Sequence, residues 1–467
     1  MQFKLQVVVD DENGEVLTED IIILEKSSDG GGLVGLSLAE SKRLLKQLQE
    51  VMVSQQARQY TLSHRCCPAC NSKRRIKGTY DIQYRTLFGI VPIPNVRLYH
   101  CDCEDVKSKT FGVLNDWLSD HNSPELQYIE TKWASLMSYG MTVDLLKDVL
   151  PVNDSLDAET VRHHLHKTAM RQDEQLKDQP RFISGCQNQW AELPRPGKPM
   201  TVGIDGGYVR DSRNRKSNFE VIVAKSFSET EAPKRLGFVQ TLDDEPERRL
   251  MKMLKNQGLQ ENQQIVFLSD GADNVRDLQQ LMHPESDHIL DWFHLTMRLT
   301  VLNQFAKGVC HTDPDPGAEL LRMLESTKWY LWHGNTEQAL EHLEDCWGLS
   351  DDPELRYDKR RKLAQHLSEM ITYIDSNAYL IPNYGEKYRC GETITTAFVE
   401  STVNEVVAKR MVKKQQMQWT QIGAHCLLQT RTAVLNGELR DHFKAWYPEL
   451  RVGANDVEYE VPVKLAA

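Results

Sequence analysis

The sequence has no long apolar stretch and no overall excess of positive charge. No run approaches the roughly 20 apolar residues of a bilayer-spanning helix. The opening MQFKLQVVVDDENGEV alternates apolar and polar side chains, unlike the continuous apolar centre of a signal peptide. We therefore expect a cytoplasmic protein with no membrane partner. The formal net charge of −11 also excludes a uniformly basic surface of the kind that coats nucleic acid.

Positive charge is nevertheless concentrated in places. Between Arg58 and Lys109 there are ten Lys or Arg against four Asp or Glu, a local excess of six. A second basic run, KRMVKK, extends from Lys409 to Lys414. Because phosphate contacts depend on local patches, the negative total leaves binding to nucleic acid open.

Five of the ten cysteines lie between Cys66 and Cys103, and the others are scattered singly. Cys67-Pro-Ala-Cys70 and Cys101-Asp-Cys103 are short-spaced pairs separated by strand-like sequence, a pattern typical of a zinc ribbon with one structural, tetrahedral Zn²⁺. Cys66 is an alternative ligand to Cys67. It would be separated from Cys70 by three residues instead of two. A redox CxxC is a second alternative, although no thioredoxin-like strand and helix surround the motif.

The segment after the cysteines is helical. SPELQYIETKWASLMSYG predicts one amphipathic helix, and MTVDLLKDVLP and AETVRHHLHKTAMRQDEQL predict two more around a short loop. The last two fit a helix-turn-helix, or alternatively a small helical connector with a polar face. The predicted DNA-binding residues, from the zinc ribbon and the second of these helices, are Arg74, Arg75, Arg162, His163 and Lys167.

Two aspartates end apolar strands in the middle of the chain. Asp205 ends TVGID and precedes two glycines, and Asp270 ends IVFLSD and precedes Gly271. Functional groups gather at such strand ends, and glycine allows a substrate to approach the backbone closely. With a third carboxylate from a helix, they could hold two metal ions about 3.5–4 Å apart for phosphodiester cleavage. The alternative is that each Asp only caps the helix or turn that follows it.

The strings around these residues resemble the ribonuclease-H-like core of DDE transposases, and in particular the Kra-type branch of bacterial insertion sequences, relatives of Mutator-like elements. The matching strings are GIDGGYVR at 203–210, LSDGA at 268–272, DWFH at 291–294, and YGEKYRCGETITTAFVESTVNEVVAKRM at 384–411. The last string contains Glu400. In such enzymes the second aspartate is followed by Cys or Asp, two residues and His, a pattern that Asp291 and His294 fit.

The resemblance implies a metal-dependent transposase. Asp205, Asp270 and Glu400 would hold two Mg²⁺ (or Mn²⁺) ions, and His294 would act near the scissile phosphate or simply pair with Asp291 in the core. Glu405 and Glu392 are the alternatives for the third carboxylate. The implied partners are the terminal inverted repeats of the element and its target DNA, bound as a homodimer or larger assembly in the bacterial nucleoid.

Two other functions remain possible from the sequence. The first is a non-catalytic DNA-binding regulator that keeps the zinc ribbon and a transposase fold. The second is a nuclease or resolvase that cleaves structured DNA with the same core. In the helical insertion, Trp329 and Trp332 are predicted to be packing residues, with stacking on a flipped base as the alternative.

The predicted fold class is α/β: a ribonuclease-H-like mixed sheet with helices on both faces and an all-helical insertion, preceded by a small β-hairpin, a zinc ribbon and a helix-turn-helix. The predicted regions are a hairpin and helix over 1–57, the zinc ribbon over 58–112, the helical DNA-binding domain over 113–178, the catalytic core over 200–300 and 391–440, and the insertion over 301–390.

Overall fold

The computed structural model describes residues 1–10, 16–26, 34–183, 185–214, 216–228, 231–271, 278, 282, 286–412 and 418–452. The chain divides into two compact units: the first contains Met1–Thr168 and the segment that begins at Gly437, and the second contains Ala169–Asn436. Within the described ranges, no helix has both the length and the apolar character needed to cross a membrane. The sequence ADNVRDLQQLM at 272–282 also predicts a helix, nearly all of which lies outside the described residues.

The first unit opens with an antiparallel hairpin, β1 (Gln2–Asp10) and β2 (Val16–Glu25), followed by α1 (Leu38–Ser63). The capping box predicted from Ser37 and Glu40 is confirmed. The Glu40 amide donates to the Ser37 hydroxyl at 3.2 Å, and the Ser37 amide donates to the Glu40 carboxylate at 2.8 Å. These bonds satisfy amide groups that the first turn of a helix leaves without partners.

A second antiparallel sheet follows, made of β3 (Ile76–Thr86), β4 (Gly89–Tyr99) and β5 (Thr110–Gly112). β3 and β4 form a long hairpin in which Ile76 lies opposite Leu98. The chain segments that precede β3 and follow β4 therefore meet at the same end of the hairpin. This register places the two cysteine pairs side by side.

The helices of the first unit are α2 (Pro124–Leu136), α3 (Tyr139–Val149) and α4 (Ala158–Leu176), which continues into the second unit. The prediction of one helix through 123–140 is wrong. The chain is extended at Met137, and Ser138 caps a new helix by accepting a hydrogen bond from the Met141 amide. The connection between α3 and α4 covers residues 150–157, longer than the three- or four-residue turn of a standard helix-turn-helix.

The second unit begins with α5 (Gln187–Ala191) and contains a five-stranded mixed sheet. Its strands are β6 (Met200–Arg210), β7 (Asn218–Phe227), β8 (Lys234–Val239), β9 (Ile265–Ser269) and β10 (Asp287–Leu290). Their order is β10-β9-β6-β7-β8, with β10, β9 and β6 parallel and β7 antiparallel to both of its neighbours. The predicted mixed α/β architecture is confirmed.

The helices of the second unit pack around this sheet and form the insertion. They are α6 (Pro246–Asn256), α7 (Trp292–Thr312), α8 (Pro314–Trp332), α9 (Thr336–Asp351), α10 (Arg360–Ser376), α11 (Tyr384–Arg389), α12 (Ala397–Val403) and α13 (Gln421–Leu435). A last helix, α14 (Leu439–Trp446), belongs to the first unit, where the Phe443 ring meets the ring of Tyr128 edge-on.

The predicted all-helical insertion is confirmed between α7 and α11, where buried leucines from several helices form one core. Trp332 packs into this core, with its ring centroid 5.0 Å from that of Trp292, as predicted. Trp329 is 52% exposed and donates to the Glu325 carboxylate at 3.0 Å, so the packing prediction does not hold for it.

The two faces of β6 differ in what covers them. Val202 and Ile204 point into a core that they share with α6. On the opposite face, α12 packs so closely that a Cβ added to Gly203 would lie 2.2 Å from Val399, and one added to Gly207 would lie 3.1 Å from Val403. Glycine is therefore the residue that fits at both positions, and Asp205 lies between them on this face.

After Val403 the helix widens. The sequence from Thr396 to Lys413 predicts one continuous α-helix, but residues Asn404–Val412 form a π-helix. The buried Arg431 side chain donates to the carbonyls of Val406 at 2.9 Å and Glu405 at 2.6 Å. Such insertion of a side chain at helical carbonyls is a recognised cause of local helix distortion.

Replacing Gly203 with Ala should destabilise the second unit by about 1–3 kcal/mol, because the new methyl group overlaps Val399 in a packed interior. Chemical unfolding measures the effect. Gly348→Ala is the matched control, since a Cβ there meets nothing within 4 Å on α9, and it should stabilise the protein by roughly 0.5–1 kcal/mol. Equal stability of the Gly203 variant and the wild type would contradict the close packing.

Candidate functional site

Four cysteine sulfurs converge at the end of the β3–β4 hairpin. The Cys67 and Cys103 sulfurs lie 3.4 Å apart, as do those of Cys70 and Cys101, and all four lie within 4.8 Å of one another. A tetrahedral site with Zn–S bonds of about 2.3 Å needs sulfurs about 3.8 Å apart. The donor set and spacing are therefore those of a structural zinc site, as the sequence predicted.

The structure selects Cys67 as the ligand over its neighbour Cys66. Cys67 is buried and belongs to the cluster, whereas Cys66 is exposed and forms a β-bridge with Lys73. The Cys67 loop closes through the amide of Asn71, which donates to the Cys67 carbonyl at 2.8 Å and has a positive φ of 57°. Asn is among the few residue types other than Gly that adopt this conformation readily.

Hydrogen bonds within the cluster shift the thiol pKa values in opposite directions. Hydrogen bonds with Ser72 lower the pKa of Cys70 to about 6. Those with Cys101 and the other thiols raise the pKa of Cys103. Four thiolates at this spacing repel one another unless a cation lies between them, so metal binding and deprotonation are coupled.

Two of the predicted DNA-binding residues lie beside the cysteine cluster, and they differ. Arg74 has a side chain only 8% exposed, forms an ion pair with Glu104, and lies over the Phe111 ring. Glu104 in turn accepts from the Cys101 amide at 2.8 Å, so Arg74 braces the cysteine loop. Arg75 is exposed and lies over the Tyr99 ring.

The other predicted DNA-binding residues lie on α4. His163 is exposed. Arg162 is bound by Glu159 at 2.9 Å, and Lys167 forms an ion pair with Asp120. A DNA phosphate would have to compete with these two carboxylates, so His163 is the most accessible of the three.

Asp205 and Asp270 lie side by side on adjacent parallel strands. Asp270 directly follows β9, whereas β6 continues past Asp205 to Arg210, so the prediction that a strand ends at Asp205 is wrong. The register pairs Gly203 of β6 with Leu268 of β9, and its continuation by two residues places Asp205 level with Asp270. Both side chains are half-buried. The backbone at Gly271 has φ of +84°, and an added Cβ there would lie 2.6 Å from the Asn377 side chain. Glycine is thus required after Asp270 for two reasons: the backbone has a positive φ, and a side chain would overlap Asn377.

Glu400 approaches the aspartate pair from α12. The helix lies over Gly203 and Gly207 on the face of β6 that carries Asp205, and the Glu400 side chain is exposed. The charges of Asp270 and Glu400 both raise the pKa of Asp205. The three predicted carboxylates therefore occupy one neighbourhood.

The alternatives for the third carboxylate are engaged elsewhere. Glu405 forms an ion pair with Arg235, with a nitrogen-to-oxygen distance of 2.9 Å. Glu392 forms one with Lys387 at 2.7 Å. The charges of Glu405 and Glu392 are not among the main influences on the pKa of Asp205, whereas the charge of Glu400 is.

Asp291 connects His294 to the helix that carries Glu400. Its fully buried carboxylate accepts from the His294 ring at 2.7 Å and from the Phe293 amide at 2.8 Å. It also accepts from the Thr396 amide at 2.9 Å and from the Thr396 hydroxyl. Thr396 immediately precedes α12, so Asp291 fixes the start of that helix.

The charges of this neighbourhood are coupled. Burial raises the pKa of Asp205 to about 6, and the charges of Asp270 and Glu400 act in the same direction, whereas His294 opposes them. The hydrogen bond to Asp291 raises the pKa of His294, and the charges of Asp205 and Asp270 add to this effect. His294 thus both pairs with Asp291 and interacts electrostatically with the aspartates.

The carboxylates are less tightly gathered than the cysteines. In the part of the chain that the structure describes, the cysteine cluster is the one group of three or more His, Cys, Asp or Glu side chains with closely converging ligand atoms. Two-metal sites spread their carboxylates around ions about 3.5–4 Å apart. Like charges also separate where no cation lies between them. Carboxylate oxygens are donors of the type that hard divalent cations prefer.

Two residues of this neighbourhood were not identified from the sequence. The Tyr373 hydroxyl of α10 donates to the Asp270 carbonyl at 2.8 Å. A Cβ added to Gly206 would lie 2.8 Å from a carboxylate oxygen of Glu220, whose pKa burial and the charge of Asp270 raise. Tyr373 is 103 residues from Asp270 in the chain, and no local pattern signals such a contact.

No protein-family model matches the chain, and no curated protein is significantly similar to it.

Cys67→Ser should remove the single bound zinc from the purified chain, whereas Cys66→Ser should retain it, because only Cys67 lies in the cluster. Zinc per chain is measured by atomic emission after extensive dialysis. Equal zinc loss in both variants, or no zinc in the wild type, would contradict the four-cysteine assignment.

In metal-free protein, Asp205→Asn should become progressively more stable than the wild type as the pH rises from 4 to 7. A folded-state pKa of about 6, against 3.8 for the free side chain, means that ionisation of Asp205 opposes folding. This cost is absent below pH 4 and grows to at most about 3 kcal/mol as the pH rises through 6. Denaturant unfolding with a chelator tests it; parallel pH profiles would rule it out.

Proposed function

We propose that this chain is a DNA transposase that binds the terminal inverted repeats of an insertion sequence and catalyses metal-dependent strand cleavage and strand transfer. The observation that carries the proposal is the shared neighbourhood of Asp205, Asp270 and Glu400. They reach it from the middle of β6, from the residue that follows β9, and from a helix packed on the same sheet face. All three side chains are accessible to solvent.

The sheet topology supports a ribonuclease-H-like core. The order β10-β9-β6-β7-β8, with β7 antiparallel to its neighbours, puts the two aspartate-bearing strands together at the centre of the sheet. The helical insertion between β10 and α12 also matches the arrangement that the family resemblance implies. Both features are independent of the carboxylate positions.

Mg²⁺ or Mn²⁺ held by Asp205, Asp270 and Glu400 would activate a water or 3′-hydroxyl nucleophile and stabilise the leaving oxygen. The protein's own contribution is positional. Asp291 anchors the start of the Glu400 helix, and Gly203 and Gly207 allow that helix to lie directly against the strand that carries Asp205.

His294 is suited to hold a phosphate oxygen near these carboxylates. One ring nitrogen is occupied by Asp291, and the interaction favours the protonated imidazolium. An imidazolium whose other N–H is available can donate a charge-assisted hydrogen bond to phosphate. We assign recognition of the DNA ends to the first unit, through Arg75 beside the cysteine cluster and His163 on α4.

The deciding experiment is cleavage of DNA that carries the sequences flanking the gene, with Mg²⁺ or Mn²⁺. The wild type should nick specifically at the element ends. Asp270→Ala should reduce cleavage by at least about 10³-fold with end binding unchanged, because one ligand of both the metal and the transition state is lost. Cleavage retained in this variant would refute the assignment, and tight binding without any cleavage would favour a non-catalytic regulator.

Matched glutamate variants separate the third carboxylate from its neighbours. Glu400→Gln should abolish cleavage, whereas Glu405→Gln and Glu392→Gln should retain it, because these two carboxylates serve ion pairs with Arg235 and Lys387. Loss of cleavage in the Glu405 variant with full activity in the Glu400 variant would reassign the third ligand.

A further inference from the structure

Arg298 lies on the same face of α7 as His294. The two residues are four positions apart, so their side chains are neighbours along the helix. His294 interacts with the charges of Asp205 and Asp270. The face of α7 that carries Arg298 is therefore directed toward the aspartate pair.

Tyr373 holds Arg298 beside the main chain of Asp270. The guanidinium carbon of Arg298 lies 4.2 Å from the centroid of the Tyr373 ring, and the hydroxyl of the same ring donates to the Asp270 carbonyl at 2.8 Å. Burial raises the pKa of Tyr373, so the hydroxyl keeps the proton that it donates. A guanidinium stacked on a ring loses part of its rotational freedom before any ligand binds.

Arg298 is one of several arginines of the second unit that are exposed and form no ion pair with a carboxylate of the described residues, and it is the one stacked on Tyr373. Arg249 pairs with Asp173 and Asp243, and Arg235 pairs with Glu405. Arg410 and Arg431 are buried. In the described residues, by contrast, no carboxylate lies within salt-bridge distance of Arg298, and its side chain is exposed. Apart from a hydrogen bond with the Tyr373 side chain, its N–H donors remain available to an anion from solution.

We propose that Arg298, held against the Tyr373 ring, binds a backbone phosphate of the DNA strand at Asp270. The inference rests on the proposed function and names a contact that this function requires. Stacking orients the planar guanidinium, whose paired N–H groups match the oxygens of a phosphate. A cation at this position also offsets the repulsion between the carboxylates and the DNA.

The test is the salt dependence of DNA binding by the full chain, because it reports phosphate contacts without requiring cleavage. The probe is a duplex of the gene's flanking sequence in chelator-treated buffer. The logarithm of the DNA association constant falls as the logarithm of the salt concentration rises. One lost phosphate contact should make this slope less steep by about 1. Arg298→Ala should show this loss and at least about a tenfold lower cleavage rate with metal.

Four companion variants identify the cause. Arg298→Lys keeps the charge and should keep the slope. Tyr373→Phe keeps the aromatic ring and should also keep the wild-type slope. Tyr373→Leu removes the ring and should reduce the slope by about 1, as Arg298→Ala does. Lys307→Ala is the matched control, since Lys307 is exposed on α7 nine residues further on and so faces away from Arg298. Thermal melting confirms that each variant folds.

The outcomes separate the two proposals. An unchanged slope in Arg298→Ala overturns the phosphate contact, whether or not the wild type cleaves DNA. A reduced slope in that variant, together with a wild type that does not cleave, supports the contact and refutes the transposase. A wild type that does not bind this duplex overturns both.

Discussion

The buried carboxylate of Asp291 is the interaction on which the geometry of the second unit depends. Burial opposes its ionisation, yet hydrogen bonds from His294 and Thr396 outweigh that effect and hold the pKa of Asp291 below its ordinary value. A buried charge is tolerated only when it is fully hydrogen-bonded. By accepting from residues on α7 and at the start of α12, this carboxylate connects two segments that are 105 positions apart in the chain. It therefore ties both His294 and the start of the Glu400 helix to the end of β10.

The close contact between α12 and β6 adds a second constraint. Asp291 fixes where the Glu400 helix begins, and Gly203 and Gly207 fix how near to the strand it lies. After Val403, the Arg431 side chain donates hydrogen bonds to carbonyls of the π-helical segment. The glutamate therefore lies on the short, regular part of a helix that is restrained at both ends, which suits a ligand that must keep its place among like charges.

The sequence predicted those parts of the structure that depend on short-range patterns. The strand that ends before Asp270, the Ser37–Glu40 capping box and the CxxC and CxC pairs each have a local signature, and the structure contains all of them. Wrong predictions arose where a local cap or a distant side chain, neither of which hydrophobic periodicity reports, decides the outcome. The helix break at Met137 depends on the cap at Ser138, and the π-helix after Val403 coincides with hydrogen bonds from Arg431.

The choice between Cys66 and Cys67 shows the same limit. Both spacings are chemically reasonable, and only the β-bridge of Cys66 with Lys73 turns one sulfur away from the cluster. The choice of Glu400 over Glu405 similarly depends on Arg235, which lies on another strand. In both cases a partner outside the motif, and not the motif itself, determines which residue is available.

Basic residues in the sequence overstate the positive surface that the protein can offer to DNA. Arg74 is bound inside the cysteine loop, Arg249 lies among two carboxylates, and Arg410 is fully buried. Each of these arginines stabilises the fold and contributes little to long-range attraction of phosphate. With a net charge of −11, the proposed association with DNA would have to depend on a few exposed cations at defined places. Such a surface binds nucleic acid weakly in general, so productive binding requires several of these cations to contact phosphates at once, and that requirement favours recognition of a particular DNA end over coating of any duplex.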